Sequence, residues 1–282
     1  MEIINNYEHK LTPEEKWEQA TLANNFIFYK VMRQHQDACK QLLEMLLGIK
    51  IESMEMKQEE TIALDYDSKG IRLDVFVKDT GRMFDVELQV ANTKELPERA
   101  RYYQGVMDVD TLKAGQKYKE LRDSHIIFIC LEDVFKNGLP VNTFANICLE
   151  DGKTKFGDRT YKHFFFAPLC AKMIEDKEVK AFFEFLISNQ ASSSYTDELK
   201  NYVADAKQST ENKMQFMTWE RQRAYDLDAG REEGIAIGAQ QKAVEAARSF
   251  YANGASIELI SKSLNMTIEQ VKEIVRDTAV SV

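Results

Sequence analysis

The stretch Ile71–Val90 constrains this chain more than any other. Leu73, Val75 and Val77 alternate with Asp74, Phe76 and Lys78. After Asp79-Thr80-Gly81, Val86, Leu88 and Val90 alternate with Asp85, Glu87 and Gln89. A period of two is the signature of a strand, and Asp-Thr-Gly is a turn signal. The stretch therefore predicts a β-hairpin with one apolar and one mixed face. With Thr80 and Gly81 as the two turn residues, Asp79 pairs with Arg82. Counting outward then sets Asp74 opposite Glu87 and Arg72 opposite Gln89. Opposite side chains share a face, with Cβ atoms about 4.5–5.5 Å apart. Two carboxylates at that separation repel and call for a cation. Oxygen donors completed by water suit Mg²⁺ or Mn²⁺. The same alternation also describes a polar sheet face turned to solvent, and a bulge at Gly81 would shift the register by one residue. Spacing alone leaves both readings open.

The surrounding pattern is that of an α/β protein. Apolar residues recur at helical spacing over Asn24–Leu47, with Asn24 or Asn25 as cap and Gly48 as stop. Thr61–Tyr66 is a short strand candidate. Glu95–Arg122 reads as a long helix with Pro97 in its first turn, where proline is tolerated. His125–Leu131 is an apolar, isoleucine-rich run expected to be a buried central strand. Strands are also expected at Ala145–Glu150 and Tyr161–Ala167, and an amphipathic helix at Asp176–Ser188. Together these predict a central mixed sheet flanked by helices, followed by an all-helical C-terminal extension. Gln190-Ala-Ser-Ser-Ser marks a boundary, so the domains are expected at 1–190, 191–242 and 243–282. The middle segment is polar and helix-prone, with Gly230, Gly234 and Gly238 at four-residue spacing, as for a linker or oligomerisation helix. Residues 243–279 read as three short helices in a helix-turn-helix-like pattern.

Composition narrows the functional classes. The chain has 282 residues, 44% hydrophobic and 29% charged, ordinary for a soluble globular protein. The start is neither basic nor apolar, and Ile126–Leu131 is too short to span a bilayer, so a cytoplasmic protein is expected. Cys39, Cys130, Cys148 and Cys170 form no CxxC pair and read as reduced thiols. The four histidines lack zinc-site spacing. A net charge of −9 argues against a protein that coats nucleic acid, while permitting an enzyme that meets DNA at one basic patch. GxSxG, GxGxxG and GxxxxGK[ST] strings do not occur, so no nucleotide cofactor is expected.

Several separated motifs carry a resemblance. Asn25–Met32, Ile71–Asp79, Asp85–Gln89, Arg99–Gln104, Tyr118–Leu121, Ile126–Cys130 and Gly138–Pro140, in this order, resemble the recombination-promoting nuclease/putative transposase family of the PD-(D/E)XK superfamily. The likeness spans most of residues 20–240. It implies a restriction-endonuclease-like core and Mg²⁺- or Mn²⁺-dependent hydrolysis of phosphodiester bonds in DNA, linked to recombination or transposition. The resemblance maps the family's acids onto Asp74 and Glu87 as metal ligands. The third motif position falls on Gln89, where the superfamily usually has lysine. Gln89 can hydrogen-bond a water but carries no charge, so Arg72, on the same expected face, is a candidate for the missing cation. Asn24, Asn25 and Tyr29 depart from the acids and glycine expected there. If the first helix lends an acid, Glu44 is the substitute. Arg99, Arg101, Tyr102, Tyr103 and Gln104 are candidate DNA contacts through phosphates and stacking. A homodimer is expected, since cutting both strands most simply needs two sites. The alternative class is a catalytically degenerate nuclease fold that binds DNA or a protein.

Overall fold

The hairpin forms in the register that its turn dictates. Asp79 N–H donates to the Arg82 carbonyl at 2.9 Å across Thr80-Gly81. Beyond it Lys78 faces Met83, Val77 faces Phe84, Phe76 faces Asp85 and Val75 faces Val86. The structure, a computed structural model, describes residues 11–56, 61–62, 71–72, 75–90 and 94–276, with only the backbone at 61, 62, 71 and 72. Asp74 and the side chain of Arg72 lie outside the described residues, as do residues 63–66 of the strand expected over Thr61–Tyr66.

The elements run α1 (Pro13–Gln19), α2 (Asn25–Gln34), α3 (Gln36–Leu47), β1 (Glu55–Met56), β2 (Thr61–Ile62), β3 (Ile71–Arg72), β4 (Val75–Lys78), β5 (Arg82–Gln89), α4 (Leu96–Thr111), β6 (Asp123–Cys130), β7 (Val141–Phe144), β8 (Thr160–Phe166), α5 (Ala167–Met173), α6 (Lys177–Ser188), α7 (Ser194–Gln208), α8 (Thr210–Ala252), α9 (Ile257–Leu264) and α10 (Ile268–Arg276). Six strands form one sheet in the order β1-β4-β5-β6-β8-β7, while β2 and β3 pair with each other, Arg72 against Thr61. The β5-β6 and β6-β8 pairs are parallel; β1-β4, β4-β5 and β7-β8 are antiparallel. This is the mixed sheet with flanking helices that the sequence predicts. The isoleucine-rich run becomes β6, buried between two parallel neighbours.

One sheet face carries Phe76, Met83, Ile126, Phe128, Cys130 and Phe164 and is covered by Leu96, Ala100, Val106 and Met107 of α4. The other carries Val75, Val77, Val86 and Leu88, with α2 in contact with β4 and β5 and Phe165 stacked on Phe183 of α6. Trp17, Phe26 and Phe216 close a second aromatic cluster. Burying each such ring contributes on the order of 1.5–3 kcal/mol. Tyr195 of α7 is buried and donates its hydroxyl to the Ala38 carbonyl at 2.8 Å. The chain divides into two compact units, Met1–Phe216 and Met217–Val282. In the second, Ala247, Ile260, Val271 and Val275 form a small core. Among the described residues no helix is long and apolar enough to cross a membrane.

Several local expectations are corrected. The helix predicted over Asn24–Leu47 is two helices, broken at His35 (φ −120°, ψ 78°), whose ring stacks on Tyr202 with centroids 3.5 Å apart. The helix predicted to Arg122 ends at Thr111, because Leu112 is extended and Gly115 turns the chain at φ 88°. The strand predicted at 145–150 is absent as such: β7 lies earlier, and that stretch contributes one bridge, Ile147 to Lys155. The first of the three expected terminal helices is the end of α8, closed by Gly254 at φ 86°. The cysteines are free, and burial pushes the Cys39, Cys130 and Cys170 thiols up to about 12, so they are unreactive.

On the β6 and β8 strands His125 Nδ1 and His163 Nε2 share a hydrogen bond of 3.1 Å, and His163 Nδ1 meets Thr143 Oγ1 at 3.0 Å. Burial lowers His125 to about 4, helped by the Arg82 charge, and burial with the neighbouring His125 lowers His163 to about 4. Unfolded histidine titrates near 6.5, so between about pH 6.5 and 4 the unfolded chain binds more protons. The stability from keeping these rings neutral is complete above the unfolded value and is lost as pH falls towards the folded one. Calorimetry from pH 7 to 4.5 is expected to show a falling melting temperature, with a shallower fall in His163→Gln. Parallel profiles for the two proteins would refute the neutral pair.

Candidate active site

Asp85, Glu87 and Gln89 project from the same face of β5 because alternate residues of a strand share a face. That face is closed off from solvent: the three residues are 0%, 4% and 8% exposed. The mixed face of the hairpin is thus no solvated surface. Its cover is the first half of α4, started by Pro97 and seated through Leu96, Ala100, Tyr103 and Met107 at four-, three- and four-residue steps, the spacing of one helix face.

This seating brings Arg99 onto the acids. Its Nη2 donates to Glu87 Oε2 and, at 3.0 Å, to Gln89 Oε1. The guanidinium carbon lies 4.9 Å from the centroid of Phe128, the parallel neighbour of Glu87, and 5.5 Å from that of Tyr103. The Glu87 side chain is 5% exposed and that of Arg99 28%. Arg99 Nε is buried with no hydrogen-bond partner among the described residues. Desolvating both ions is costly, and removing one partner leaves a buried, uncompensated charge.

The donor set consists of hard oxygens: the carboxylates of Asp85 and Glu87 and the amide oxygen of Gln89. The oxygens of Glu87 and Gln89 converge on one cation, the Arg99 guanidinium, so this pair suits a small divalent ion as well. Among the described residues, no group of three His, Cys, Asp or Glu forms a metal site.

The other sequence-predicted site residues scatter. Arg101 and Tyr102 are exposed on α4. Tyr103 packs on the core cluster beneath Arg99. Gln104 is 6% exposed and points its amide at both carboxylate oxygens of Asp108, 3.4 Å away, which leaves it little reach towards DNA. Burial raises the Asp108 carboxyl despite that amide and the Lys162 charge. Glu44, on α3, accepts the Ile51 N–H at 2.8 Å and lies 3.8 Å from Lys50, closing the turn after its own helix. Asp85, two residues before Glu87 and buried on the same face, was not among the sequence candidates. Arg99, a candidate DNA contact from the sequence, is paired in the structure with Glu87 and Gln89.

The family follows from comparison. Residues 23–226 match the model of the PD-(D/E)XK nuclease family transposases. The chain belongs to this family. No curated protein and no solved structure gives a match. The matched span holds β4, β5 and α4, and so the whole Glu87–Gln89–Arg99 arrangement, within the nuclease-family region.

Replacing Gln104 with leucine removes a buried amide oxygen that has no partner among the described residues. The exchange also removes the amide donor to the Asp108 carboxylate, so a loss on the order of 1 kcal/mol is expected. Urea denaturation of Gln104→Leu is expected at a lower midpoint than wild type, with the duplex DNA affinity of the folded protein unchanged. A large loss of affinity would restore Gln104 as a DNA contact.

Proposed function

We propose that this chain is a divalent-metal-dependent endonuclease that hydrolyses phosphodiester bonds in DNA, in the service of DNA mobility or recombination. The observation that carries the reading is the burial of Glu87 beside Gln89 with their oxygens turned to one cation, in a chain of the PD-(D/E)XK nuclease family transposases. In this reading Glu87 and Asp74, the next position in the hairpin count after Val75, hold Mg²⁺ or Mn²⁺. When bound, the metal supplies Lewis-acid charge and lowers the pKa of water. The protein's own groups do the rest. Gln89 orients a water through its amide. Asp85 adds negative charge on the same face and strengthens the attraction for a cation. The exposed Arg101 and Tyr102, which follow Arg99 on α4, would meet a DNA backbone. A pair of chains would bring one such site to each strand of a duplex.

A second reading, a degenerate nuclease fold that binds DNA without cutting it, draws on the neutral Gln89 at the third motif position. Incubation with supercoiled plasmid separates the two. Nicking or linearisation is expected with Mg²⁺ or Mn²⁺, none with EDTA, and a loss of about 100-fold or more in Asp74→Ala and Glu87→Ala. Cleavage indifferent to chelator and to both substitutions would sink the metal mechanism. Duplex binding with no cleavage would establish the second reading.

A further inference from the structure

We propose that Arg99 supplies the positive charge that the third motif position lacks, contacting the scissile phosphate from α4 instead of from β5. The proposal rests on the nuclease reading above. Position 89 carries an amide, which offers no charge to stabilise the phosphorane-like transition state. The guanidinium of Arg99 is bonded to that amide oxygen at 3.0 Å, so a cation stands against the side chain whose place a lysine would take. It is pre-positioned. Phe128 and Tyr103 flank it at 4.9 and 5.5 Å, and the neighbouring Leu96 and Ala100 of the same helix are buried in the core. The rings favour a cation and restrict its motion.

Arg99 also has unspent donors. Nη2 serves Glu87 and Gln89, while the buried Nε has no hydrogen-bond partner among the described residues. A buried donor without a partner is unfavourable, and a phosphate oxygen that reached it would satisfy it. Guanidinium forks match phosphate geometry and stay charged at every working pH. With 28% of its side chain exposed against 5% for Glu87, Arg99 is the more accessible of the pair. Arg99 therefore has two roles in sequence. It pairs with Glu87, and it would offer its charge to the phosphate if Glu87 held a divalent ion.

The test uses the full chain in four forms: wild type, Arg99→Ala, Gln89→Lys and the double variant. Three readouts are taken: single-turnover plasmid cleavage in Mn²⁺, affinity for a short duplex in Ca²⁺, and Mn²⁺ affinity by electron paramagnetic resonance. Arg99→Ala is expected to slow cleavage about 100-fold or more while duplex affinity stays within about threefold. Its Mn²⁺ affinity should hold or rise, since a competing cation has left Glu87. The double variant should regain at least about tenfold of the lost rate, because lysine at 89 restores the charge. Arg99→Gln, which keeps a hydrogen bond to Glu87 but no charge, takes the place of alanine if circular dichroism shows that Arg99→Ala unfolds.

Cleavage by the Arg99 variant at the wild-type rate would overturn the proposal. So would a loss matched by an equal loss of duplex affinity, which makes Arg99 a tether only, or a folded double variant no faster than Arg99→Ala. Wild type without metal-dependent cleavage would overturn the nuclease reading itself, and this role with it.

Discussion

Everything near the site depends on one arrangement: a row of oxygen-bearing side chains, Asp85, Glu87 and Gln89, enclosed between a sheet and a helix. Ordinary sheet–helix interfaces exclude such groups, since a buried charge needs a partner of opposite sign. Here α4 provides both the seal and the counter-charge. Leu96 and Ala100 exclude water on the two sides of Arg99 in the helix, and Arg99 between them meets Glu87. The start point of α4 matters for the same reason. A helix beginning one residue earlier or later would rotate Arg99 by about 100° away from the acids, given 3.6 residues per turn.

The hairpin was legible in sequence because a two-residue turn fixes every later pairing by counting, and the apolar alternation agrees with that count. The central strand β6 was legible because a parallel strand covered on both faces must be apolar throughout. The helix limits were not. His35 interrupts α2 and α3 through a stacking contact with Tyr202, more than a hundred residues away, and no local rule anticipates such a partner. The end of α4 was missed because Lys113–Arg122 is polar enough to continue an exposed helix. The chain leaves that path at Leu112 and Gly115 to reach β6. β7 was misplaced because edge strands need only one apolar face and are short.

The candidate site was half readable. Glu87 and Gln89 stand out through their period, and burial of their face removes the alternative of a solvated surface. What sequence did not supply was the contact between Glu87 and Arg99. Arg72, the candidate from hairpin counting, has its side chain outside the described residues. The side chain found beside Glu87 comes from a different element, because a strand followed at once by a helix folds the helix back over the strand's end.

The Thr143–His163–His125 chain on the opposite end of the sheet has a consequence of its own. A neutral imidazole has one N–H, so the chain can be drawn in only two senses. Either Thr143 donates to His163, which donates to His125, or both arrows reverse. The tautomer of one ring therefore dictates that of the other. Three strands, β7, β8 and β6, are tied by a bond order that changes all at once or not at all. The edge strand β7 is in this way coupled to the middle of the sheet through a single hydroxyl.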